Sequence, residues 1–321
     1  MAQKAFGRFT YEPNSTECTL STIFDLASVT KVVSTTTMAA ILYERGLLDL
    51  DMPLSSIVPE FLTDDPRREE VTPRMLLAHS SGLPAYEKLF LRATTKNALV
   101  NAAFSAALVA DPGVKADYSD IGFILLGIAL ERLADEPIDR FCQREILGPL
   151  GMMQTSFNPA SSLRDSIAPT ADDQSFRHRV IQGEVQDENT SVVGGIAGHA
   201  GLFATAGNVA IFANAMLHGG SPILRPETVA TFTRREPTPE GTSRALGWDT
   251  PSSPSQSGKY LSPRSFGHLG YTGTSLWIDP ERQLSITLLT NRTWPDCKNQ
   301  AIKQVRPKFH DAVIEALEAA R

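Results

Sequence analysis

"FDLASVTKVV", residues 24 to 33, places Ser28 and Lys31 three positions apart, at the start of a long stretch of helical apolar spacing. Residues one helical turn apart share a face. At a helix N-terminus a hydroxyl also meets the positive end of the macrodipole, which favours an oxyanion or alkoxide. A lysine buried beside it loses its proton more easily and can act as a base toward the serine. A solvated helix face is the plainer reading of the same spacing. The flanks, "FDLA" before and "VV" after, argue instead for burial of the pair.

The rest of the chain bounds what such a pair could serve. Its 321 residues, 42% hydrophobic and 21% charged, can fill a core of ordinary globular kind. A formal net charge of -6 and a pI near 5.6 speak against nucleic acid or an anionic membrane as partner, since both need a basic footprint. No apolar run approaches the roughly 18 to 20 residues of a spanning helix. The start, "MAQKAFGRFTYEP", has no signal-type apolar run, so the chain as written is expected in the cytoplasm. Cys18, Cys142 and Cys297 are too scattered for a disulfide framework and read as reduced. No cofactor is expected. His178, His199, Asp172, Asp173, Asp187 and Glu188 share one loop-rich stretch, but without metal-ligand spacing, so they read as loop caps and pocket lining. No Gly-x-Ser-x-Gly elbow supports an α/β-hydrolase.

Patterning gives a mixed α/β organisation. "KAFGRFTY" (residues 4–11) alternates as a strand, and a helix is expected from Ser28 to a C-cap at Gly46. Thr72 and Pro73 suit a helix start, "NALVNAAFSAALVA" and "YSDIGFILLGIALERLA" read as further helices, and residues 155–200 read mostly as loop. "AGNVAIFANAMLHGG" is helical, whereas "SFGHLGYTGTSLWIDP" and "QLSITLLTNR" read as strands joined at Asp279–Pro280. A helical tail interrupted at Pro307 closes the chain. Strands near both termini predict one sheet made from the two ends. One domain over 1–321 is expected, with a sheet-and-helix lobe from 1–50 and 240–321 and a mostly helical insertion over 51–239.

Two more stretches carry chemistry. Tyr118 and Asp120 stand at the start of an apolar helix, where Ser119 or Asp120 also suits an N-cap. In "FGHLGYTGTSLWIDP" His268 and three glycines lie on a strand, and strand glycines mark close approach of a ligand or another backbone.

Taken in order, Ser-x-x-Lys, Tyr-x-Asp and His268-Leu269-Gly270 resemble the serine β-lactamase and penicillin-binding protein superfamily, in its class C-like branch. "LLAHSSGLP" and "DENTSVVGGIAGHAGLFAT" add to the resemblance, which covers nearly the whole chain. It implies a β-lactamase/transpeptidase-like fold, an antiparallel sheet flanked by helices beside a mostly helical lobe. It also implies a serine hydrolase working through an acyl-enzyme on Ser28. Lys31 and Tyr118 would share the proton traffic, with Lys31 and a protonated His268 as the cations that lower Tyr118. The N–H groups of Ser28 and Tyr271 would form the oxyanion hole, Gly270 and Gly273 would let the acyl group lie along the strand edge, Asp120 would contact substrate, and His199 would border the cleft. Expected partners are a small-molecule ester, β-lactam or peptide.

Three departures refine this. Histidine and leucine replace the frequent Lys-Thr of the late-strand motif, which favours esters over β-lactams or peptide C-termini. Asp120 replaces a frequent asparagine and should raise Lys31. The resemblance also implies a further strand upstream of residue 4, where a signal peptide would change the compartment to periplasmic or secreted. A D-alanyl-D-alanine carboxypeptidase and a catalytically silent penicillin-binding-like module are the alternative functions.

Overall fold

A long, largely buried helix sets the frame. In the computed structural model, which describes residues 2–253 and 255–320, helix Asp120–Ala134 buries Ile121, Phe123, Leu125, Leu126 and Leu130 among others. The Ser119 hydroxyl caps it, accepting from Gly122 N–H at 2.9 Å, and Asp135 ends it in the left-handed region at φ 50°.

The segment after Ser28 packs across this helix. It winds as a π-helix over Lys31–Thr36 and continues as helix Thr37–Glu44. Buried hydroxyls explain the widened turn: Thr37 Oγ1 donates to the carbonyl of Val32, five residues back, at 2.8 Å, so side chains compete with the backbone for acceptors. Gly46, at φ +69°, stops the helix where the sequence placed its end.

Strands form three small antiparallel sheets. β1 (Phe24–Asp25) and β2 (Thr155–Phe157) flank β5 (Leu202–Ala204), and β3 (Ala171–Asp173) pairs with β4 (Arg179–Ile181). β6 (Phe266–Leu269), β7 (Ser275–Asp279) and β8 (Leu284–Leu288) form the third, with His268 opposite Leu276 and Trp277 opposite Ile286. Helix Ala206–Leu217 packs on β7 and β8. Helix Ile302–Ala319 closes another part of this sheet, where Leu261, Trp277, Ile286 and Ile314 bury together.

Three expectations are corrected here. Residues 4–11 form no strand: Gly7 at φ +76° turns the chain out of extended conformation, and the segment contributes a single bridge, Arg8 to Glu17. The last sheet therefore comes from the C-terminal strands and not from both ends. The stretch 155–200 is mostly loop, as expected, with short β2, β3, β4 and helix Glu188–Val192 set in it. Pro307 does not interrupt the tail, which runs unbroken over Ile302–Ala319. Anchors on either side of the proline hold it: Arg306 donates to Thr274 O at 3.0 Å, and His310 Nε2 meets Ser275 Oγ at 3.0 Å.

His310 also makes the fold acid-sensitive. Its Nδ1 faces the carbonyls of Gln256 and Ser257, which fixes the proton there and leaves Nε2 to accept from Ser275. Burial, the leading cause, pulls its pKa down to about 4. A depressed folded-state pKa gives stability that is present above the unfolded value near 6.5 and lost as pH falls toward 4. Urea unfolding at pH 7.5 and 4.5 should show a pH-dependent loss that is smaller in His310→Gln by about 2 kcal/mol; equal losses would contradict this account.

Candidate active site

β1 delivers the chain to a tight turn in which Ala27 takes φ +46° and Ser28 follows. Lys31 is fully buried. Its ammonium donates to Ser28 Oγ at 2.9 Å, Asp120 Oδ1 at 2.7 Å and the His199 carbonyl at 3.1 Å. An ammonium has three N–H donors and a neutral amine two, so this set of acceptors suits the charged form. Tyr118 OH donates to the same Ser28 Oγ at 2.7 Å. The serine oxygen thus accepts two hydrogen bonds in the resting site.

Neighbours hold each member. Tyr118 lies against the ring of His79, centroids 4.5 Å apart, and His79 Nδ1 accepts from Ser119 N–H at 3.0 Å. The guanidinium of Arg244 stands 5.5 Å from the Tyr118 ring centroid. His199 is buried, with Nε2 at 2.9 Å from Asp187 Oδ1 and 3.0 Å from Thr190 Oγ1. Burial disfavours the Asp187 carboxylate, but His199 and the Thr190 donors outweigh it and bring its pKa to about 2.

The late strand meets the serine turn through hydroxyls. Thr272 Oγ1 donates to Asp25 O at 2.8 Å and Thr274 Oγ1 to Leu26 O at 2.9 Å. Gly270 is required there: a Cβ would lie 1.9 Å from Thr274 Oγ1 and 2.5 Å from Leu26 O. Arg306 clamps this bend from the C-terminal helix by donating to the carbonyls of Gly270 and Thr274. Tyr271 is half exposed, with Arg292 stacked 4.3 Å from its ring centroid. A cleft of about 720 Å³ is lined by Ser28, Tyr118, Asp120, His199, Arg244 and His268, among others.

Eight of the residues singled out in the sequence therefore converge on one cleft. The electrostatics correct one expectation. His268 is not a protonated cation: burial, then Lys31 and Arg244, holds it well below the ordinary histidine value, while its Nδ1 lies 2.8 Å from Leu269 O. Nor is Tyr118 lowered; burial and the Asp120 carboxylate hold it above the ordinary tyrosine value against the pull of Lys31. For Lys31, burial acts downward, but Asp120 and Tyr118 prevail and raise it. Sequence reading missed Arg244, which sits in "TSRALGWDT" without periodic signal.

The family model described as Beta-lactamase matches residues 5–306. The chain belongs to the beta-lactamase family. A protein of Escherichia coli (strain K12) named "Putative D-alanyl-D-alanine carboxypeptidase" is 32% identical over 307 residues, spanning 86% of this chain and 70% of the relative. The octameric penicillin-binding protein homologue from Pyrococcus abyssi superposes with a TM-score of 0.75 at 21% identity, covering 97% of this chain and 70% of that one. EstCE1, a hydrolase with promiscuous acyltransferase activity, gives 0.74 at 21% identity, covering 92% and 87%. These structural likenesses establish the β-lactamase/transpeptidase-like fold. As a member of the family, the chain is a serine hydrolase. Among the described residues, no helix is long and apolar enough to cross a membrane.

The paired shifts can be measured directly. In a 13C-tyrosine NMR titration, Tyr118 should ionise above the ordinary range near 10 in the wild type. In Asp120→Asn the midpoint should move to lower pH, because the carboxylate that disfavours tyrosinate is gone. A midpoint that does not move would remove Asp120 as the cause.

Proposed function

We propose that Ser28 is the acyl-accepting nucleophile of an esterase-type hydrolase. The observation that carries this is the pair of donors on Ser28 Oγ, Lys31 Nζ at 2.9 Å and Tyr118 OH at 2.7 Å, facing the cleft. Ser28 Oγ attacks the ester carbonyl as its proton passes to the Lys31–Tyr118 pair. Tyr118 then gives a proton to the departing alkoxide, and water repeats the sequence on the acyl-enzyme. The N–H groups of Ser28 and Tyr271 serve as the oxyanion hole. That role is supported by the threonine bonds that lay residues 270–274 against Asp25 and Leu26. Losing one such donor costs about 2.7 to 4 kcal/mol in the barrier.

The proton inventory sets the pH dependence. Lys31 and Tyr118 are both raised, so the resting pair is fully protonated near neutrality and must lose one proton before it can accept that of Ser28. Activity belongs to the pair and rises with pH. Neutral His268 and apolar Leu269 put no permanent charge on the late strand, which favours uncharged acyl groups. A carboxypeptidase is the second reading. The relative's name favours it, as does Arg244 in the cleft, a cation that could take a peptide carboxylate.

Turnover of p-nitrophenyl butyrate should fall by roughly 10³-fold or more in Ser28→Ala, and wild type alone should gain a fluorophosphonate adduct by intact-protein mass spectrometry. Undiminished turnover in Ser28→Ala would overturn the assignment. In Asp120→Asn the rising limb of kcat/KM should shift to lower pH. A penicillin adduct on Ser28 would favour the carboxypeptidase reading over the esterase.

A further inference from the structure

Asp25 takes no part in the chemistry above, yet it lies where three segments of the site meet. Its side chain is 1% exposed. Oδ1 accepts from Ala27 N–H at 2.7 Å, and Oδ2 accepts from Gln186 N–H, also at 2.7 Å and 161 residues away in sequence. We propose that the Asp25 carboxylate is a positioning residue for acyl transfer, holding the turn that presents Ser28 in register with the loop that supplies an acceptor to Lys31. The inference rests on the reading of Ser28 as the nucleophile.

Each oxygen has a separate task. Ala27, directly before Ser28, sits at φ +46°, a backbone region that side chains other than glycine disfavour. The bond from its N–H to Oδ1 holds that turn. Gln186 opens the segment in which Asp187 grips His199 Nε2, and the His199 carbonyl is one of the three Lys31 acceptors. Oδ2 therefore sets where that segment begins. The backbone of the same strand supplies the third tie, through Thr272 to Asp25 O and Thr274 to Leu26 O.

A local turn would need only the first of these bonds, and asparagine would make it as well. Only an ionised carboxylate offers an acceptor to both N–H groups. Protonation, or replacement by an amide, points a donor at one of them. The charged groups facing Asp25 are Asp187, on the segment after Gln186, and Arg177, which donates to the carbonyls of Val185 and Gln186 at 2.7 Å each. Burial, the largest influence, raises the carboxyl to about 6. The tie should therefore loosen as pH falls through that value.

The test uses the full chain as wild type and Asp25→Asn. Measured are the second-order rate of fluorophosphonate labelling at Ser28, kcat and KM for p-nitrophenyl butyrate, and the melting temperature. At pH 7.5 labelling and kcat should fall on the order of 10- to 100-fold in Asp25→Asn, with KM within about twofold. Dividing wild-type by variant rates cancels the shared dependence on the Lys31–Tyr118 pair. That ratio should collapse as pH drops through about 6, because the protonated carboxyl and the amide fail at the same contact. Equal rates at pH 7.5, or a ratio that stays constant down to pH 5, would overturn the proposal. Should Asp25→Asn not fold, the wild-type profile decides. Its log rate must steepen below about pH 6 with the near-ultraviolet circular dichroism unchanged, and an unchanged slope overturns the proposal. Absence of any Ser28 adduct in wild type would instead remove the nucleophile reading, a separate failure.

Discussion

The site is organised around one buried cation. Lys31 lies at full burial, and its three N–H groups end on acceptors from three distant parts of the chain: Ser28, Asp120 and the His199 carbonyl. Burying an ammonium costs several kcal/mol, and a single carboxylate rarely returns that in stability. Such a cation persists only when every donor is satisfied, so the positions of the other three residues are mutually constrained. Asp120 opens a long, largely buried helix, and His199 is held by Asp187 and Thr190. The serine turn, the central helix and the 186–199 segment are thereby tied to one atom.

That constraint explains what the sequence could show. Ser28 and Lys31 are local, three residues apart, and the apolar flanks already implied that the pair is buried. Tyr118 and Asp120 announced themselves at a helix start, and the glycines around His268 marked a close approach that the structure finds between Gly270 and Leu26. What stayed hidden is what depends on long-range contact. Nothing in "TSRALGWDT" says that Arg244 reaches the Tyr118 ring, and no spacing rule connects Asp25 to Gln186. Local propensity misled where tertiary anchors override it. Pro307 suggested a break, but Arg306 and His310 fasten the helix to the sheet on both sides of it. Alternation in residues 4–11 suggested a strand, but Gly7 bends away.

The protonation of His268 was the other misjudgement, and its cause is electrostatic. In isolation a histidine is mostly neutral at pH 7, but a modest shift would charge it. Here it is buried in the company of Lys31 and Arg244, and adding a third charge to that volume is prohibitive. The late strand therefore offers hydrogen bonding without a fixed charge, whereas fixed positive charge enters the cleft from other segments, through Arg244 and Arg292 among others; Arg244 is already shared with Asp249 at 3.6 Å.

A serine oxygen that accepts from both Lys31 and Tyr118 is arranged for the state that follows proton loss, not for the loss itself. In the proposed reaction, both protonated donors already hold two hydrogen bonds where negative charge would gather on Oγ, and little would have to reorganise. The price appears in the base: Asp120 keeps Lys31 charged, and burial keeps Tyr118 neutral. With Ser28 as the proposed nucleophile, such a site trades readiness of the proposed base for preorganisation around the serine oxygen. On that proposed reading, the rate at neutral pH depends on how rarely the Lys31–Tyr118 pair is short of a proton as well as on how well Ser28 is placed.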